Sequence, residues 1–157
     1  MLWGEVHDLN AYVMGGMAGH AGLFSSVLDL CKFCTTVLSG GVCPATGKRL
    51  YSESASKLFL SRLTPVSPYG FGWNLYGDGA AKGSYLSGGK HLSRAAVGHT
   101  GFTGTSMWLD PSQHFFVILL TNSVHPDATS EQGDKIREVR PAVADAAFKL
   151  RSTETTL

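Results

Sequence analysis

Residues able to do chemistry gather in one stretch, Gly98-His99-Thr100-Gly101-Phe102-Thr103-Gly104. A histidine stands between a glycine and a threonine, and three glycines fall within seven residues. Imidazole is the side chain whose charge switches most readily near neutral pH. Glycines inside a strand pattern mark a bulge, or a place where a ligand or another backbone comes close. Two readings stand. One is a strand edge held open for a ligand, with a proton donor or acceptor aimed at it. The other is a tight bend that happens to contain a histidine.

Further candidates lie elsewhere. Ser54-Ala55-Ser56-Lys57 and Ser87-Gly88-Gly89-Lys90 each set an amine three residues after a serine, a spacing that shares one face of a helix. Ser54 and Lys57 fall away from the apolar face expected at Ala55, Leu58 and Phe59. Ser87 lies in a glycine-rich stretch, 77–91, that reads as a mobile loop. Neither serine reads as a preorganised nucleophile. His7-Asp8 and His20 read as structural, because no nucleophile stands beside either; a carbonyl is the expected partner of His20. Cys31-x-x-Cys34 lacks a second ligand pair at zinc spacing. It falls on the apolar face of a helical pattern, where cysteine acts as a small hydrophobe. Three cysteines are an odd number and argue against a disulfide framework. No metal and no cofactor are implied.

The elements that must hold these residues belong to one domain's worth of chain. The chain has 157 residues, 43% hydrophobic and 16% charged, which is a globular composition. A formal charge of +1 with no basic stripe argues against a nucleic-acid partner. The apolar run from Phe115 to Leu120 is far short of the ~20 residues that span a bilayer. Met1 to Asp8 lacks the basic start and apolar stretch of a signal peptide.

Residues 3–24 read as a loop with short ordered pieces. Ser26-x-x-Asp29 opens a helix carried by Val27, Leu30, Cys31, Cys34, Val37 and Leu38, and Gly40-Gly41 stops it. A second helix is expected from Ser52 to about Leu63, ended by Pro65. Strands are expected near 69–76, 95–103, 105–110 and 115–122, with a type I turn at Asp110-Pro111-Ser112-Gln113. The unbroken apolar run of the last strand implies burial on both faces. A helix from Glu131 to Leu150 presents Ile136, Val139, Val143, Ala147 and Leu150, with a kink or fresh start at Pro141. Residues 152–157 are expected to fray. The pattern is α+β: an antiparallel sheet with the C-terminal helix on one face and the 26–38 helix on the other.

Two longer blocks of text carry a resemblance. The first runs from Gly4-Glu5-Val6-His7-Asp8 through Gly19-His20-Ala21-Gly22-Leu23-Phe24 to Asp29-Leu30. The second runs from Gly98 through Trp108-Leu109-Asp110-Pro111 to Thr121-Asn122 and His125-Pro126. Together they resemble the class C β-lactamase-like and penicillin-binding-protein-like serine hydrolases, with His99-Thr100-Gly101 as the His-Thr-Gly form of the third motif, Lys-Thr-Gly. The resemblance covers about residues 3–150 and implies a partial β-lactamase/transpeptidase-like fold of αβα layers over residues 1–151. It implies that His99 stands in the place of the motif lysine. Thr100 would face the substrate carboxylate or ester, beside Gly101, and the Phe102 backbone N–H would serve the oxyanion hole. Histidine weakens the permanent positive charge of the motif, which fits ester or peptidyl substrates better than a β-lactam carboxylate.

The family also needs Ser-x-x-Lys upstream of the Gly-His-Ala-Gly-Leu-Phe block, and a Tyr-x-Asn. Neither is found: no tyrosine among Tyr12, Tyr51, Tyr69, Tyr76 and Tyr85 has Asn at that distance. The implied chain is the C-terminal part of a serine hydrolase without its nucleophile, inactive alone. The chain is then a fragment or a truncated gene product, or a separate chain supplies the N-terminal half, and the absence of that half would leave a sheet edge or apolar surface open. The alternative is a non-catalytic binding domain for acyl or peptidyl ligands.

Overall fold

The computed structural model describes residues 3–63, 67–76 and 87–154. In chain order the elements are α1 (Leu9–Val13), α2 (Val27–Leu38), α3 (Glu53–Phe59), β1 (Asn74–Leu75), β2 (Val97–Thr100), β3 (Ser106–Asp110), β4 (Phe115–Leu119) and α4 (Ser130–Glu154). The strands form one antiparallel sheet in the order β1-β2-β3-β4.

Strand alternation decides which side chains meet which helix. Val97, Leu109, Phe116 and Ile118 share the face that packs with Cys34 and Val37 of α2. Trp108, Phe115 and Val117 share the other face, with Ala147 and Phe148 of α4. The register pairs Val97 with Leu109 and Trp108 with Val117, so both apolar sets are aligned across strands. The result is the expected αβα layering.

The α2 helix follows its sequence signals. Ser26 Oγ accepts from the Asp29 N–H at 3.3 Å and donates to Asp29 Oδ2 at 3.0 Å. Gly40 and Gly41, at φ 61° and 92°, end it. Cys34 is fully buried with its Sγ 3.3 Å from Met107 Sδ. Burial, with some help from Cys31, pushes its thiol up to about 12.

Several expected boundaries move. Helix α3 stops at Phe59, with Leu60 as its C-cap, and buries Ser56 instead of Leu58 and Phe59. Phe59 instead meets Phe71 near the surface, the rings tilted by 44° with centroids 5.3 Å apart. Pro65 lies outside the described residues. The 69–76 strand shrinks to Asn74–Leu75 because the glycines fold the segment back: Gly70 N–H donates to Trp73 O at 2.8 Å, and Gly72 has φ 81°. Strand β2 ends at Thr100, not Thr103, where Gly101 begins a turn.

Helix α4 runs through Pro141 without a fresh start and stays helical to Glu154. A reciprocal pair opens it: Thr129 N–H donates to Gln132 Oε1, and Gln132 N–H to Thr129 Oγ1, each at 3.2 Å. Its inward face is Ile136, Arg140, Ala144, Ala147 and Phe148, while Val139 and Leu150 turn out, Leu150 to 69% exposure.

Part of the expected mobile loop is fixed. Ser87 is buried and accepts from Trp108 Nε1 at 3.1 Å. Lys90 N–H donates to Asp145 Oδ1 at 2.6 Å. Residues 77–86 of that loop lie outside the described residues.

Asp110 is fully buried and accepts from Ser93 N–H and Oγ, Ser112 N–H, Gln113 N–H and Gln113 Nε2. It ties the β3–β4 turn to the segment leading into β2. Both faces of β4 are covered, yet Phe116 to Leu119 stay partly exposed, because among the described residues no strand pairs with its outer edge. Trp3, Leu9, Val13, Leu23 and Phe24 are also exposed.

Candidate functional site

The His-Thr-Gly stretch lies at the end of β2 and in the turn that follows. Gly98 is buried under Trp108, where a Cβ would run into the indole ring and the Met107 carbonyl. This close approach explains the glycine. His99 is exposed at the strand end, opposite Met107 in the register. Its Nδ1 lies 2.8 Å from Thr100 O. A carbonyl can only accept, so that contact requires the proton on Nδ1 and leaves Nε2 with the lone pair in neutral imidazole.

The turn beyond Thr100 is tightly tied. Gly101 N–H donates to Thr105 O at 2.8 Å, and Gly104 N–H to Gly101 O at 3.1 Å. Gly104, at φ 99°, is buried among Thr121, Ser123 and Ile136. Arg140 reaches from α4 and donates from Nη2 to Gly101 O at 2.8 Å and from Nε to Gly104 O at 3.0 Å. Partial burial lowers its guanidinium from the usual value, with Arg137 adding to the shift. The Phe102 N–H, between these tied groups, has no hydrogen-bond partner among the described residues. Its side chain is 77% exposed, with its ring stacked on His7 at 5.6 Å.

His99, Thr100, Gly101 and Phe102 are therefore brought together by one strand end and one turn. The first block of the chain comes to the same turn through His7. Asp8 caps α1 by accepting from Ala11 N–H at 2.8 Å, and pairs with His20 Nε2 at 3.0 Å. His20 thus finds a carboxylate where a carbonyl was expected. The Ala11 bond and then the His20 contact hold the Asp8 carboxyl below the usual range.

The two Ser-x-x-Lys pairs are not brought together. Ser54 Oγ lies 2.9 Å from Ser52 Oγ, while Lys57 pairs with Glu53 at 2.7 Å. Ser87 is buried under Trp108, and Lys90 is exposed. Among the described residues no group of three His, Cys, Asp or Glu is placed to hold a metal ion, and no helix is long and apolar enough to cross a membrane. Arg140 escaped sequence reasoning. Its signal was a position shared with Ile136 and Ala144 on one helix face, where a cation must find acceptors.

Comparison with known proteins adds an independent line. The chain is 35% identical over 132 residues to a protein named "Putative D-alanyl-D-alanine carboxypeptidase" from Escherichia coli K12, covering 83% of this chain and 29% of that protein. A protein of the same name from Salmonella paratyphi B is 35% identical over 125 residues, covering 79% of this chain and 28% of it. The chain thus spans less than a third of the length of these relatives. The crystal structure of a beta-lactamase from Mycobacterium bovis shares the fold, with a TM-score of 0.58 at 22% identity, over 87% of this chain and 47% of that one. Residues 3–140 match the Beta-lactamase family, and the chain belongs to that family.

Proposed function

We propose that this chain supplies the His-Thr-Gly side of a serine acyl-hydrolase site, while the nucleophilic serine and its lysine come from another segment. The unpartnered Phe102 N–H carries the reading. Thr103 N–H is also without a partner among the described residues, but Phe102 N–H follows the His-Thr-Gly residues directly and belongs to the peptide whose carbonyl is held, so it is the donor placed for a developing oxyanion. Thr100 and Gly101 form the wall against which the acyl group lies, and His99 takes the place of the motif lysine. The carboxypeptidase name of the relatives and the loss of permanent charge at His99 favour a peptidyl or ester substrate.

Two observations support a foreign nucleophile. The chain's own Ser-x-x-Lys pairs are engaged elsewhere. Among the described residues the outer edge of β4 has no pairing strand and the apolar side chains of Trp3, Leu9, Val13, Leu23 and Phe24 are exposed, a surface that the rest of the domain would bury. The same engagement of both serines favours, second, a binding module that holds acyl or peptidyl ligands in this groove without cleaving them.

A fluorophosphonate probe separates the two. The chain alone should remain unlabelled. Mixed with a segment bearing the family's Ser-x-x-Lys, it should give labelling on that serine. Labelling of Ser54 or Ser87 would refute the foreign nucleophile and place it in this chain, and no labelling in the mixture would refute the hydrolase reading.

A further inference from the structure

Resting on that reading of the site, we infer that Arg140 is its positioning residue: by gripping the Gly101 carbonyl it fixes the direction of the Phe102 N–H. The reason is covalent. Gly101 C=O and Phe102 N–H belong to one peptide unit, which is trans. In a planar trans unit the N–H points opposite to the C=O. Anchoring the oxygen at 2.8 Å on Arg140 Nη2 therefore aims the N–H away from α4.

The grip has two points. Arg140 Nε holds Gly104 O at 3.0 Å, so the planar guanidinium spans both ends of the turn and resists its rotation. Gly101 O also accepts from Gly104 N–H at 3.1 Å. Two donors on one carbonyl polarise the peptide and make its N–H a better donor, since hydrogen bonds in a chain strengthen one another. Arg140 touches no reacting atom. It acts through the backbone, and it makes the C-terminal helix part of the site.

The test has a spectroscopic arm and a kinetic arm, each with Arg140→Ala and Arg140→Lys. In the 157-residue chain, Arg140→Ala should move the Gly101 carbonyl 13C and Phe102 15N resonances upfield. Leu109 and Val117 in the sheet should hold still, and added guanidinium should reverse the shift in part. Arg140→Lys, whose single ammonium cannot span both carbonyls, should lie between. Unchanged Gly101 and Phe102 resonances, or equal shifts throughout the sheet, would overturn the inference. In the hydrolase assembled with its serine-bearing segment, Arg140→Ala should lower kcat roughly 10²-fold, near the loss of an oxyanion donor, with KM little changed. If His99→Ala cripples turnover and Arg140→Ala does not, the role of Arg140 falls and the site stands. If neither changes turnover, the site reading falls and takes Arg140 with it.

Discussion

Replacing Gly98 by alanine should destabilise the chain, although alanine is the stiffer residue and strands tolerate it better. A Cβ at position 98 would lie 2.5 Å from both Met107 O and Trp108 Cε3. One is a backbone atom of the neighbouring strand. The other belongs to a fully buried indole that donates to Ser87 Oγ and meets Tyr76 edge-on at 5.9 Å. Neither can swing aside as the tip of a flexible side chain would. Overpacking of this kind costs about 1–3 kcal/mol, and a displaced Trp108–Ser87 hydrogen bond adds about 1 kcal/mol. The gain from a less flexible unfolded chain is at most about 1 kcal/mol. The clash wins, leaving a net loss of about 1–3 kcal/mol, or roughly 3–10 °C in Tm at this chain length. Urea unfolding and the near-ultraviolet dichroism of the tryptophans should both report it. An unchanged or raised midpoint would refute the packing of Trp108 on β2.

Three further outcomes follow from particular contacts. Asp110→Ala should cost about 3 kcal/mol in urea unfolding, because it removes a fully buried carboxylate that accepts from Ser93, Ser112 and Gln113 and leaves the half-buried donors of Ser93 and Gln113 without it; Asp110→Asn, which keeps one acceptor oxygen, should cost less. Cys34, buried and with its thiol pushed up to about 12, should resist iodoacetamide in the native chain, while Cys43, whose thiol is lowered chiefly by its Thr46 hydrogen bond, reacts first by mass spectrometry. Asp8 has a folded-state pKa below its unfolded one, so its stabilisation of α1 is present above the ordinary carboxylate value of about 4 and fades as acid titrates the lowered folded value. The Ala11 amide resonance should follow that loss, and Asp8→Asn should abolish the pH dependence.

The sheet was legible because its signals are local and redundant. Val97, Leu109 and Phe116 alternate with residues of the opposite face, and the turn at Asp110-Pro111 fixes the register between β3 and β4. Helix α2 was legible from its cap and its glycine stop. The faces of α3 and α4 were not, because tertiary demand outranked apolar periodicity. Ser56 turns in against α2 while Phe59 finds Phe71 outside. Arg140 turns in because two turn carbonyls offer it acceptors, which rotates Val139 and Leu150 into solvent. Pro141 leaves α4 intact, since one lost backbone bond does not outweigh the contacts of Ala144, Ala147 and Phe148. At the candidate site, the clustering of His99, Thr100, Gly101 and Phe102 needed only their adjacency. The grip of Arg140 and the stacking of His7 on Phe102 depend on residues distant in sequence, and no local pattern announces them.

Ester hydrolysis by the reassembled domain, with and without His99→Ala, bears most directly on the function proposed for this chain. His99 is exposed, and its hydrogen bond is to the carbonyl of its own neighbour, so its loss should leave the melting of the chain nearly unchanged. Turnover of a short-chain nitrophenyl ester should fall ~10²–10³-fold, the range for a lost positioning or oxyanion group. Equal rates for the two proteins would remove His99 from the chemistry and contradict the assignment of the Gly98–Gly104 stretch as the site.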